Sequence, residues 1–154
     1  WQIAPTGELL MKIRPHKTTC IVLSILVLLV AGCRATADLG GTSWQLTAYG
    51  PADALLDAEA PASIQFEDNG RLDGFTGCNA FFGHYRVDDG RISLRDGELA
   101  FTVADCGAST PEGRQDEFFR AWLTDIGDYS QTADGLQLVF DEGWQIAVYV
   151  PKVD

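Results

Sequence analysis

The sequence predicts a mainly β domain, an antiparallel meander curled into a small barrel with one α-helix packed against it. Three observations point there: short apolar–polar alternations recur between Trp44 and Val150, glycine-containing pairs separate them, and one stretch after Thr110 changes to helical spacing. A repeat of two marks a strand with one buried face, whereas apolar residues three and four apart mark a helix. With 154 residues, 46% of them apolar and 21% charged, the chain has the composition of one globular domain. That excludes a disordered tail, a collagen-like repeat and a multi-span membrane protein.

Taken in order, Trp44, Leu46 and Ala48 alternate with Gln45 and Thr47, and Ile64 and Phe66 flank Gln65. Further on, Leu136, Leu138 and Phe140 alternate, and so do Trp144, Ile146, Val148 and Val150. The pairs Asn69-Gly70, Asp89-Gly90, Asp96-Gly97, Asp134-Gly135 and Glu142-Gly143 accept positive φ and suit hairpins. Thr110-Pro111-Glu112 offers an N-cap, a proline at the first helical position and an acid in the first turn. Phe118, Phe119, Trp122, Leu123 and Ile126 then follow at helical spacing, with Gly127 placed to end a helix of about 15 residues. Its aromatic face is expected to cover the sheet. Closure into a barrel removes edges that would otherwise invite aggregation. The large side chains Trp44, Phe66, Phe101, Phe140 and Trp144 are expected to fill the interior, which argues against a carrier of small apolar ligands.

The first 32 residues differ from the rest. They carry Lys12, Arg14 and Lys17 against Glu8, while the remainder has 8 basic and 21 acidic residues, a net of −13. Met11 opens a basic stretch that runs into the uncharged segment Ile21 to Val30, the pattern of a secretory leader. A membrane-spanning helix needs roughly 20 apolar residues, and Arg34 ends this run too early. Residues 1–10 read as an upstream extension. Val30-Ala31-Gly32-Cys33 resembles the lipobox of bacterial lipoproteins, which implies lipidation at Cys33. The alternatives are a simple secretory signal or an uncleaved anchor. The resulting division is leader to residue 32, lipidated tether 33–41 and domain 42–152. Three acyl chains would hold the protein firmly to a membrane. Arg34, in place of the Asp that retains many such proteins at the inner membrane, implies the outer membrane, facing the periplasm.

Of four cysteines, Cys20 leaves with the leader and Cys33 takes lipid, so Cys78 and Cys106 remain. An oxidising compartment favours one bridge, and two buried free thiols are the alternative. His84 is the sole histidine after the leader, so the spacing supplies no zinc site.

The stretch Gly77-Cys78-Asn79-Ala80-Phe81-Phe82-Gly83-His84-Tyr85 resembles the G-C-N-x-F-x-G-x-Y signature of the META domain, the family that includes HslJ-like heat-shock lipoproteins. Thr102, four residues before Cys106, matches the family's second landmark, and Trp44-Gln45-Leu46 and the helix near Glu112 fall where the family has them. The resemblance covers about residues 41–150. One departure is Ala104-Asp105 where the family has Met-Ala. Membership would imply a link to heat shock and to tolerance of aminocoumarin antibiotics. The residues also support a reading of their own: Gly77 and Gly83 let the backbone turn or bulge, Asn79 bonds neighbouring backbone groups, and Phe81 and Tyr85 anchor the loop. A competing reading lets Asn79, His84 and Tyr85 line a binding site.

Catalytic signatures are missing from the sequence: there is no G-x-S-x-G elbow and no phosphate loop. The acidic run Glu67 to Gly74 has too few spaced oxygens for an EF-hand and reads as a solvated turn, as do Asp88-Asp89-Gly90 and Asp141-Glu142-Gly143. We therefore expect no catalytic residue, cofactor or metal. The acidity excludes nucleic acid as a partner. The expected partners are the membrane, through the lipid, and an envelope protein. The leading expectation is a non-enzymatic envelope lipoprotein supporting outer-membrane integrity or tolerance of heat and antibiotics. The alternative is a periplasmic protein-binding inhibitor of a basic enzyme such as lysozyme.

Overall fold

A computed structural model describes residues 38–153, apart from the side chains of 96–98. Cys33, the leader and the first part of the tether lie outside the described residues. The strands are β1 (Thr42–Pro51), β2 (Leu56–Asp57), β3 (Ser63–Phe66), β4 (Arg71–Phe75), β5 (Ala80–Asp88) and β6 (Arg91–Phe101), followed by β7 (Ile126–Gln131), β8 (Leu136–Phe140) and β9 (Gln145–Pro151). Between β6 and β7 lie helix α1 (Pro111–Trp122) and a 3₁₀ turn (Leu123–Asp125).

Every neighbouring pair is antiparallel, and β1 pairs with β9 from Trp44↔Pro151 to Pro51↔Gln145. That last ladder turns the meander into a closed eight-stranded barrel, with two-residue β2 as a short addition beside β1. The β5–β6 turn shows how the sequence directs the path. Asp89 (φ 51°) and Gly90 (φ 77°) are both left-handed, as a two-residue turn between twisted strands requires.

The interior is built from Trp44, Leu46, Ile64, Phe66, Leu72, Phe81, Ile92, Leu138 and Phe140, with Tyr49, Tyr85 and Tyr149 among the large buried side chains. Leu39 is buried too, so the packed body reaches back into the segment read as a tether. The helix closes one end. In an antiparallel barrel the end of β1, the end of β8 and the start of β5 share a rim, and α1 meets all three. Phe118 lies 5.0 Å from Tyr49 and 6.2 Å from Phe140, and Asp116 bonds to Asn79.

Five local expectations are corrected. Asp96-Gly97 is not a hairpin: Leu94 pairs with Tyr85 and Leu99 with Gly83, so both flanks face the same strand and residues 95–98 form a bulge within β6. In β1 the register shifts between Leu46 and Ala48, so the inward set passes from Trp44 and Leu46 to Tyr49, leaving Ala48 half-buried. In β9 the inward residues are Ala147 and Tyr149, paired with Leu138 and Leu136 of β8, while Val148 is half-buried and Val150 exposed. Trp144 precedes β9 and is 74% exposed, so it does not fill the interior. Finally, Gly127 belongs to β7. The helix ends earlier, at Leu123, whose N–H donates to the Phe119 carbonyl.

Candidate functional site: the Asn79 cluster

The family motif begins in the short connection between β4 and β5, on the rim that α1 covers. Gly77 has φ 109°, and a Cβ there would approach Gln115 Nε2 to 2.8 Å, so both conformation and space demand glycine. Thr76 then organises the turn. Its hydroxyl accepts from the N–H groups of Cys78 (3.3 Å) and Asn79 (3.0 Å) and donates to Asp116 Oδ1 (2.5 Å).

Asn79 is fully buried and uses both ends of its amide. Its Nδ2 donates to the Ala104 carbonyl (3.1 Å) and to Asp116 Oδ2 (3.0 Å). Its Oδ1 accepts from the Thr102 hydroxyl (2.9 Å) and the Ala104 N–H (2.7 Å). One side chain thus joins three segments, namely its own turn, the chain after β6, and α1. Thr102 Oγ1 also accepts from the Ala80 N–H (3.1 Å). A disulfide between Cys78 and Cys106 makes the same connection covalently, with an S–S distance of 2.04 Å. The thiols are therefore bridged.

The helix presents two polar residues to this turn, Gln115 and Asp116, which sequence reasoning missed. Gln115 Oε1 accepts from the Glu59 and Ala60 N–H groups, while Nε2 donates to the carbonyls of Ala60 (3.1 Å) and Thr76 (2.6 Å). Burial opposes charge on Asp116. Hydrogen bonds from Thr76, Arg120 and Asn79, with the charge of Arg120, outweigh that and hold its carboxyl below the usual Asp range. Arg120 Nε contacts Asp116 Oδ2 at 2.7 Å, and its guanidinium stacks 4.7 Å from the Phe101 ring. The signal for Gln115 was its place four residues before Phe119, in phase with Leu123.

The other motif residues do different things. Phe81 is buried and packs on Phe101 at 5.8 Å. Tyr85 is buried edge-on to Phe66, its hydroxyl donating to the Glu67 carbonyl (3.2 Å). Gly83 pairs with Leu72 and Leu99. His84 is exposed on the outer face, so Asn79, His84 and Tyr85 do not converge on one site. Among the described residues, no group of three His, Cys, Asp or Glu could hold a metal ion. No described helix is long and apolar enough to cross a membrane.

The META domain family matches residues 37–152. The chain belongs to the META domain family. In this META domain the signature turn, the Thr102–Cys106 landmark and the helix are one hydrogen-bonded unit. Among solved structures the chain is similar to an NMR structure of a protein from Burkholderia xenovorans, with 24% identity, a TM-score of 0.60 and 99% of each chain covered. It is also similar to a DUF4847 family protein from Bacteroides vulgatus, with 15% identity, a TM-score of 0.49, and 73% of this chain and 93% of that one covered. The first likeness concerns the fold. No curated protein matches the chain.

Proposed function

We propose that this META domain is the folded body of a non-enzymatic envelope lipoprotein, anchored through Cys33 at the outer membrane, that supports envelope integrity under heat or antibiotic stress. The observation that carries the reading is the saturation of the motif. Asn79, Thr76, Gln115 and Asp116 have protein partners for their polar atoms, which suits a part built for rigidity outside the cytosol. The bridge between Cys78 and Cys106 fits an oxidising compartment. The test is to delete the gene and measure entry of a hydrophobic antibiotic at raised temperature, restoring either the natural chain or Cys33→Ser. Entry should rise on deletion and fall only with the natural chain. Unchanged entry would overturn the stress role, and full rescue by Cys33→Ser would overturn the anchor.

A second reading, an inhibitor of a basic periplasmic enzyme, is favoured by Trp144. It is 74% exposed and follows Asp141 and Glu142, so an aromatic anchor stands beside two acids. Cationic lysozyme that keeps full activity in stoichiometric excess of the purified protein would exclude it.

A further inference from the structure

The outer face of β4, β5 and β6 gathers two arginines and a histidine on an otherwise acidic molecule. Arg71 and His84 are direct cross-strand partners, and one row along, Asp73, Phe82 and Ala100 face the same way. The bulge in β6 falls opposite His84 and brings Arg95 to the same place, its guanidinium 3.7 Å from where a Gly70 side chain would begin. Arg71, Phe82, Gly83, His84, Arg95, Leu99 and Ala100 enclose a surface hollow of about 520 Å³.

Two features set this hollow apart. Among the described residues, five of the seven Lys and Arg side chains are in ion pairs, and Arg95 is one of the two that are not. Phe82 is 49% exposed, a large apolar ring lining the same hollow as that cation. The adjoining hollow, of about 410 Å³, also touches Arg95 but contains Asp38 and Asp68, which repel an anion.

We propose that the hollow binds an anionic amphiphile, its phosphate or carboxylate on Arg95, His84 and Arg71 and its apolar part on Phe82 and Leu99. Arg95 carries the larger share. Arg71 is already engaged with Asp73 at 2.7 Å and with Glu67 at 3.9 Å. A planar guanidinium suits two-point contact with an acid group, and the ring supplies the surface that a bare inorganic anion cannot use.

The experiment is calorimetric titration of hexyl phosphate, inorganic phosphate and hexanol into the purified full chain, with each ligand titrated into buffer as the blank. Hexyl phosphate should bind at least tenfold more tightly than either of the others. Arg95→Gln should weaken it about fivefold and Phe82→Ala about tenfold, both side chains being exposed and the melting temperature unchanged. Lys152→Gln, the other described cation without an ion pair, should have no effect. Several results would overturn the proposal: no heat from hexyl phosphate, equal binding of inorganic phosphate or hexanol, indifference to Arg95→Gln and Phe82→Ala, or an equal loss with Lys152→Gln. None of these outcomes bears on the anchor or the stress role.

Discussion

Asn79 is fully buried, and truncating it strips partners from the Thr102 hydroxyl, the Ala104 N–H and Asp116 at once. Losing these bonds and leaving a void at a fully buried position cost on the order of 2–4 kcal/mol. Asn79→Ala should therefore lower the melting temperature by about 10 °C, measured by circular dichroism. An unchanged melting temperature with a lost phenotype would give Asn79 a role beyond holding the fold. Asp116 gives a pH signature. Its carboxyl is held below the range of an unfolded Asp, so its contribution is complete above the unfolded value of about 4 and lost as pH falls through the folded value. Asp116→Asn should be less stable at neutral pH and show a flatter loss of stability below about pH 4 in urea titrations. The sequence made the signature residues legible because Gly, Cys and Asn have few roles at a tight turn. It hid Asp116, because a polar residue on a helix looks solvated until its partners are known.

At the scale of elements, α1 was legible from both of its codes, the cap and the stripe. Thr110 Oγ1 accepts from the Gly113 N–H at 3.1 Å, and Pro111 follows it as the first helical residue. Thr110→Ala should cost about 1 kcal/mol, read from chemical denaturation at constant slope. The disulfide ties the β4–β5 turn to the segment leading into α1, across a sequence separation of 28. Replacing both cysteines by serine should remove roughly 3.5 kcal/mol on the loop-entropy model, and a natural chain equally stable with and without reductant would overturn that expectation. The bulges were less legible. Asp96-Gly97 carries the same residues as a hairpin, and what decides between turn and bulge is that both flanks pair with β5. Likewise the shift in β1 exchanges the buried face beyond Thr47, and period-two patterning has no means of registering one extra residue.

For the whole molecule, closure was legible only as a need to hide edges, while the strength of each seam is a property of the finished ladder. The β1–β9 seam joins seven residue pairs, although these strands stand at opposite ends of the domain. Among the described residues the β6–β7 seam has a single paired position, Arg91↔Asp128, with a 2.7 Å ion pair whose two side chains are both well exposed. Such a pair is worth under about 1 kcal/mol, so it cannot stand in for a missing ladder. The connection from β6 to β7 runs through α1, and the contacts of Phe118 and Phe119 with Tyr49 and of Phe118 with Phe140 brace the barrel there from one rim. The barrel should consequently open first between β6 and β7, and last between β1 and β9. Amide exchange near neutral pH provides the measurement, because opening free energies differ among regions of one protein. Amides in the β1–β9 ladder should exchange only through global unfolding. Those of β6 and β7 along their shared seam should exchange at least tenfold faster and with a weaker dependence on denaturant. Arg91→Ala should leave global stability within about 1 kcal/mol while speeding that local opening. Uniform protection around the barrel would show that the helix, bonded through Asp116 and Gln115, compensates fully for the thin seam.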